Sequence, residues 1–235
     1  MTDNATTKYT IGIIGGTGKE GKGLAYRWAK AGHKIVIGSR QAEKALAAAA
    51  DVNQMLGASE TVTGLENDKT ALQADIVVLT VPFAVHVDMC TYLKPFVQGK
   101  IFVDVTVPLV PPRVTRVQMP AEGSAAQQAQ AILGESVQVV SAFQNISYEH
   151  LLNDEEVACD VLVCGPKEAR ETIVGLVRDA GLVGWSGGPI ENSVVVEGLT
   201  SVLIGLNKQF GVQDAGIRLT GLPRPWVIIK NTCNR

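Results

Sequence analysis

The chain has 235 residues, 46% hydrophobic and 19% charged, with 21 Lys plus Arg against 23 Asp plus Glu. Such a composition can bury a sizeable core, which excludes a disordered chain. The net charge of −2 excludes a general nucleic-acid or membrane-surface binder, because phosphate-rich partners require a concentrated positive field. Short β-branched runs alternate with helical patterns from the start. Tyr9–Ile14, Lys34–Ile37, Asp75–Thr80, Ile101–Val105 and Val137–Val140 read as buried strands, bounded by Gly, Pro or charge. Helical spacing falls between them at Lys19–Ala31, Gln41–Leu56, Asn67–Gln73, Ala84–Leu93 and Ala121–Leu133. This alternation with short connections predicts an α/β fold, a Rossmann-type doubly wound parallel sheet.

The pattern weakens after Val140. Asp160–Cys164 reads as one more strand, Lys167–Ala180 as a helix, Gly184–Pro189 as a Gly-rich turn and Asn192–Phe210 as a long helix. The expected division is a nucleotide-binding domain over 1–145 and a smaller C-terminal α/β domain over 146–235 that closes the site. The long helix carries Val194, Val195, Val196, Leu199, Val202, Leu203, Ile204 and Leu206 on more than one face. That suggests a homodimer, with one wide contact inside a single subunit as the alternative. The tail Pro223–Arg235 reads as irregular.

Four cysteines, Cys90, Cys159, Cys164 and Cys233, lack CxxC spacing and the density of a disulfide scaffold, so they read as reduced cytoplasmic thiols. His33, His86 and His150 show no metal-ligand spacing, and no metal is expected. His33 reads as a structural residue of a helix-to-strand turn, and His86 as a surface or helix-cap residue. Residues 1–8 are polar, and no apolar run approaches the ~20 residues of a membrane helix.

The most informative motif opens the chain. The first strand runs into Gly15-Gly16-Thr17-Gly18-Lys19-Glu20-Gly21, which holds G-x-G-x-x-G at Gly16, Gly18 and Gly21, and then into a helix. Such glycines permit a tight turn and let the backbone approach a pyrophosphate, which sits on the free N–H groups of the helix start. The second strand indicates which dinucleotide. It ends Ile37-Gly38-Ser39-Arg40, with Lys44 one turn on and no carboxylate to hold a ribose 2′-OH. Arg40 and Lys44 can pair with a 2′-phosphate and Ser39 can donate to it, so NADP(H) is expected rather than NAD(H). The fourth strand delivers Val81 and Pro82 to the carboxyl edge, where ligands bind in open sheets.

A proton donor for ketone or imine reduction is harder to find. There is no Tyr-x-x-x-Lys pair on a helix, and Asn207-Lys208 is only a fragment of the hydroxyacid-dehydrogenase motif. Gln144, Asn145, Tyr148 and His150 are the polar groups nearest the nicotinamide end. Tyr148 and His150 are candidate donors, and a plain polar loop is the alternative. Hydride exchange with a flavin-like ring needs no such donor, since stacking supplies proximity and orientation.

Several longer motifs run across roughly Tyr9–Leu222: IIGGTGKEGKGLA (Ile13–Ala25), IGSR (Ile37–Arg40), DIVVLTVP (Asp75–Pro82), PLVP (Pro108–Pro111), VVSA (Val139–Ala142), GPIENS (Gly188–Ser193), VEGLT (Val196–Thr200) and GIRLTG (Gly216–Gly221). In these the sequence resembles the NADPH-dependent reductases of the deazaflavin coenzyme F420. The resemblance implies reversible hydride exchange between nicotinamide C4 and deazaflavin C5, with NADP(H) as cofactor and coenzyme F420 as co-substrate. It implies that Thr17–Glu20 cradle the pyrophosphate, and that Ser39, Arg40 and Lys44 hold the 2′-phosphate. Val81, Val85, Val110 and Tyr148 would line the nicotinamide half. The deazaflavin would stack under Ser141–Ile146, bringing Ala142, Gln144 and Ile146 to the rings together with Asn192. Two positions depart from the family: Gln144 stands where a histidine can occur, and Val194 where an arginine can. Arg113, Arg116, Arg218 and Arg224 are the remaining candidate anion contacts, or else plain surface residues. Another NADPH acceptor (flavin, quinone, imine or ketone) and a non-enzymatic NADP(H)-binding module stay open as alternatives.

Overall fold

The computed structural model describes residues 7–57, 61–152, 154 and 156–223, so Arg224, Cys233 and the tail beyond Pro223 lie outside the described residues. Eight strands form one sheet in the order β3-β2-β1-β4-β5-β6-β7-β8. They are β1 (Thr10–Ile14), β2 (Lys34–Ser39), β3 (Val62–Glu66), β4 (Ile76–Leu79), β5 (Ile101–Asp104), β6 (Gln138–Ser141), β7 (Asp160–Cys164) and β8 (Val183–Gly188). All neighbours pair in parallel except β6 and β7, which meet antiparallel at Ser141 and Cys164. The expected boundary after residue 145 therefore falls within a continuous sheet: β7 and β8 extend it instead of forming a sheet of their own.

The period-two alternation of the strands feeds two cores, one on each face. Ile11, Ile13, Val78, Val103 and Val140 point to one side, beneath α1 (Lys19–Lys30), α2 (Ala42–Leu56) and α6 (Lys167–Asp179). Ile14, Val77, Leu79, Phe102 and Val139 point to the other, beneath α3 (Asn67–Gln73), α4 (His86–Leu93) and α5 (Ala125–Leu133). The last helix, α7 (Ser193–Phe210), lies beside α5 and β7. Among the described residues, no helix is long and apolar enough to cross a membrane.

Buried polar groups fix the joints. Arg27 donates to the carbonyls of His150, Leu151 and Ala180, tying the segment after β6 onto α1 and α6. Lys100 Nζ reaches the carbonyls of Ala71, Leu72 and Ala74, satisfying acceptors at the end of α3. His33 is structural as expected: it is buried, stacked on Tyr9, and 3.0 Å from Asp179.

Three local expectations change. Val62–Glu66 forms a strand where the sequence reading has none; a Cβ at its central Gly64 would lie 2.3 Å from the Ala45 backbone, so close packing of α2 demands the glycine. The Gly-rich stretch Gly184–Pro189 is no turn but most of β8. Its glycines let α6 and β7 approach, since Cβ atoms at Gly184 and Gly187 would crowd Val177 and Cys164 at 2.9 and 2.7 Å. Finally, α5 begins at Ala125 rather than Ala121, capped by Ser124, whose hydroxyl accepts from the Gln127 N–H. The irregular segment from Val105 to Gly123 is thereby longer than expected.

Candidate active site

The Gly-rich turn joins β1 to α1 at the carboxyl edge, where β1 and β4 are neighbours and the chain reverses its winding direction. The Gly16 N–H is anchored on the Gly38 carbonyl. Helix α1 starts at Gly18 with no side chain capping its amides, so they remain available to an anion.

Two cavities take residues adjacent to this turn, one from the end of β2 and the other from the first turn of α1. The smaller, about 450 Å³, is lined by Ser39, Arg40, Val85, Met89 and Tyr92, with Glu66, Asp68 and Asp88 on its acidic side. Glu66 is paired with Lys69. The larger, about 670 Å³, is lined by Glu20, Val81, Pro82, Gln144, Ile146 and Tyr148, and its far wall comes from Thr106, Leu109, Thr200, Leu203, Ile204 and Asn207.

Nine of the expected residues line one or other of these two cavities. Ser39, Arg40 and Val85 line the smaller cavity, and Glu20, Val81, Pro82, Gln144, Ile146 and Tyr148 the larger, while the turn at Gly16, next to the end of β2 through the Gly38 carbonyl, lines neither. Lys44 is exposed in the first turn of α2 and lines neither cavity. Val110 is 40% exposed, and its neighbours Leu109 and Pro111 face the cavity instead. Ala142 is fully buried in the sheet core, so its side chain meets no ligand. Asn192 lies apart from both cavities, its amide bound to the Gly187 carbonyl in the turn before α7. Arg113, Arg116 and Arg218 are exposed and line neither cavity. His150 does not line the larger cavity; its ring lies 3.6 Å from Asp214.

His86 is neither a surface residue nor a cap. It is fully buried, with Nε2 2.7 Å from Asp104 Oδ2 and Nδ1 3.2 Å from Gln128 Oε1. Burial pulls its pKa down, but the hydrogen bond and charge of Asp104, helped by Gln128, outweigh it and leave the pKa raised. Asp104 also accepts the Thr106 N–H, and its carbonyl accepts from Gln144 Nε2, which fixes Gln144 in the cavity floor. Phe143, just before Gln144, takes a left-handed φ of 73° and packs edge-on against Trp28. That costs a non-glycine residue ~1–2 kcal/mol, and it turns the chain from β6 into the cavity.

A second buried carboxyl, Glu197, accepts from the Ala125 and Ala126 N–H groups and so caps α5 from α7. Burial, reinforced by the charge of Asp104, holds its pKa up at about 8 against the pull of those two amides. Neither Asp104 nor Glu197 stands out as a site residue in the sequence. The available signal was a lone carboxylate within an apolar strand and an apolar helix, residues that are rarely buried unless partnered. Thr106, Thr200 and Asn207 carried no comparable signal, because their place in the wall depends on how α7 docks.

The fold and the cleft define a dinucleotide-binding α/β protein of the Rossmann class. Residues 10–108 match the family described as NADP oxidoreductase, coenzyme F420-dependent. The chain is 40% identical to the F420-dependent NADP reductase of Methanocaldococcus jannaschii over 221 residues, covering 90% of this chain and 98% of the relative. It is also 40% identical to that of Methanothermobacter thermautotrophicus, covering 91% and 95%. The chain belongs to the F420-dependent NADP reductase family. Its fold is similar to that of a candidate F420-dependent NADP-reductase from Arthrobacter sp. FB24, with a TM-score of 0.74, 24% identity, and coverage of 90% and 99%. An imine reductase from Myxococcus stipitatus shares the fold more loosely, at a TM-score of 0.61 and 16% identity, covering 87% of this chain and 63% of that one.

Proposed function

We propose that this enzyme transfers hydride between NADP(H) and the deazaflavin coenzyme F420, with the dinucleotide laid along the cleft. The adenosine 2′-phosphate sits with Ser39 and Arg40, the pyrophosphate on the open start of α1, and the nicotinamide in the larger cavity. The observation that carries this reading is the set of three neighbouring parts: a cavity that holds Ser39 and Arg40 from the end of β2, an uncapped helix start beside Gly18, and a largely apolar chamber. The residues fit the group, because a Cβ built at Gly18 meets nothing within 4 Å and the backbone there is open to a phosphate.

When bound, the nicotinamide exchanges hydride at its C4 and the deazaflavin at its C5. The chain's own residues bind, orient and exclude water. Val81, Pro82 and Ile146 supply apolar surface for the rings, and Gln144, held by the Asp104 carbonyl, keeps Oε1 without a hydrogen-bond partner among the described residues. Tyr148, beside Lys19 at 3.5 Å, closes the near wall, and residues 146–223 act as the closing segment.

The reading includes a cytoplasmic homodimer. Cys90, Cys159 and Cys164 are buried and unpaired. Helix α7 leaves Val195 and Phe210 each 68% exposed beside Val202 and Leu206, an apolar face that a second copy would cover.

Rapid loss of NADPH absorbance with purified coenzyme F420, and none with FMN, FAD or no acceptor, is the expected result. Equal turnover with FMN would reassign the acceptor. For the nucleotide end, Arg40→Ala should raise the NADPH dissociation constant roughly 10–100-fold, the worth of one or two charged hydrogen bonds. NADH binding should barely change, so wild-type protein that binds NADH as tightly as NADPH would contradict the assignment.

A further inference from the structure

Glu20 is the second residue of α1, two positions beyond the open Gly18, and it stands in the wall of the larger cavity with Val81, Gln144 and Tyr148. Among the described residues its carboxyl has no hydrogen-bond or ion-pair partner. Nor does a nearby charge act on it: burial is the one cause that lifts its pKa to about 8. The surrounding elements explain this. Tyr148 is the other titratable side chain of that wall. Lys19 lies over the Tyr148 ring at 4.8 Å, and Lys22 is bound to Asp51 of α2. On the turn that carries Tyr148, His150 faces Asp214, and Glu149 does not line the cavity. On α6, Asp179 is engaged by His33, with Arg178 beside it, while Arg27 of α1 is spent on backbone carbonyls. Arg40, at the end of β2, belongs to the other cavity. The residues of Thr80–Ala84 and Gln144–Ser147 that face the cavity bear no charge.

An unpartnered acid in an otherwise uncharged chamber is an unusual neighbour for a ring whose charge changes during the reaction. The nicotinamide ring is cationic in NADP+ and neutral in NADPH, while the pyrophosphate and 2′-phosphate are the same in both. We infer that the Glu20 side chain discriminates oxidised from reduced nicotinamide by charge, and so couples NADP+ binding to release of one proton. The inference rests on the nucleotide placement proposed above and adds a role for this side chain.

The balance is simple. Protein with protonated Glu20 plus NADP+ gives the complex with ionised Glu20 plus a proton in solution. NADPH binds with the proton retained. Hydride arrival neutralises the ring, and Glu20 then takes a proton back from solvent. An opposite charge nearby shifts a carboxyl downward by about 1–3 units, so NADP+ favours the ionised form and NADPH does not. The ratio of the NADPH to the NADP+ dissociation constant must then rise with pH.

The test measures both dissociation constants for the full-length protein, by fluorescence titration and calorimetry, between pH 6.5 and 9. The ratio is expected to climb about ten-fold in wild type and to stay flat in Glu20→Gln, which keeps the size of the side chain but cannot ionise. Titration of the 2′-phosphate cancels in the ratio. Calorimetry on wild type alone, in two buffers of different ionisation enthalpy near pH 7.5, should show more proton release with NADP+ than with NADPH, which keeps the test independent of how the variant folds. If both nucleotides bind but the ratio is flat in wild type, or climbs equally in Glu20→Gln, the inference is overturned and the proposed function stands. If neither nucleotide binds, the nucleotide placement fails and the inference with it.

Discussion

Gly18→Ala is expected to leave the fold intact and to weaken NADPH binding by about a hundred-fold or more. Gly18 has φ −75° and ψ 169°, a conformation any residue adopts. A Cβ built there meets nothing within 4 Å, so the protein itself has no quarrel with the methyl group. Removing glycine at a compatible position even restricts the unfolded chain, worth ~0.4–1 kcal/mol of added stability. In the proposed placement, the open space in front of Gly18 is where the pyrophosphate comes within hydrogen-bond reach of the helix-start amides. A methyl group holds it off, and two lost charge-assisted bonds at ~1.5–3 kcal/mol each exceed a hundred-fold in affinity. Gly21→Ala makes the contrasting case: its Cβ would lie 2.5 Å from Gly16 Cα, so the turn itself must shift and melting should suffer. Thermal melts and NADPH fluorescence titrations on the two variants separate binding from folding. Near-wild-type NADPH affinity in Gly18→Ala would move the pyrophosphate off this helix start.

These glycines also show why one part of the molecule was legible in sequence and another was not. The nucleotide half is written locally: strand, glycine spacing, helix and the basic strand end lie within residues 10–44, and short-range geometry dictates what they can bind. Ser39, Arg40 and the glycine turn accordingly come together in the structure. The far wall is written non-locally. Thr200, Leu203 and Asn207 reach the cavity because Glu197 pins α7 to the start of α5, across 72 residues of sequence from Ala125. Asn192 is marked in sequence only by its place in the GPIENS motif, and its amide, bound to the Gly187 carbonyl near the end of β8, holds it elsewhere. In the same way β3 and β8 were hidden by Gly64, Gly184 and Gly187, whose reason is the close approach of another element. His86 looked like a helix-start residue, since nothing within its own segment announces Asp104, 18 positions on.

Asp104→Ala should be the most damaging single change, lowering stability by about 3–5 kcal/mol. Asp104 and His86 are both fully buried and 2.7 Å apart, so losing the carboxylate leaves an imidazole, the Thr106 N–H and a cavity with no replacement partner. The damage reaches the site as well, because Thr106 lines the larger cavity and the Asp104 carbonyl holds Gln144. The pair also sets a pH dependence. His86 binds its proton more tightly in the folded chain than in the unfolded one. Its contribution is therefore complete below the ordinary histidine value of 6.5 and is lost as pH rises through the raised folded value. Glu20 and Glu197 act with the same sign. Each is held up at about 8 from an ordinary 4.5, so each contributes fully below that lower value and loses its contribution towards the upper one. Wild-type unfolding free energy, from urea titrations at pH 6, 7.5 and 9, should fall steadily. Removing Asp104 removes what held the His86 proton, and burial then favours the neutral ring. The variant's slope should be shallower by up to one proton, about 1.4 kcal/mol per pH unit, within the histidine range. Parallel slopes in wild type and variant would mean that the His86 proton does not depend on Asp104, and that the pair is held together as a neutral hydrogen bond.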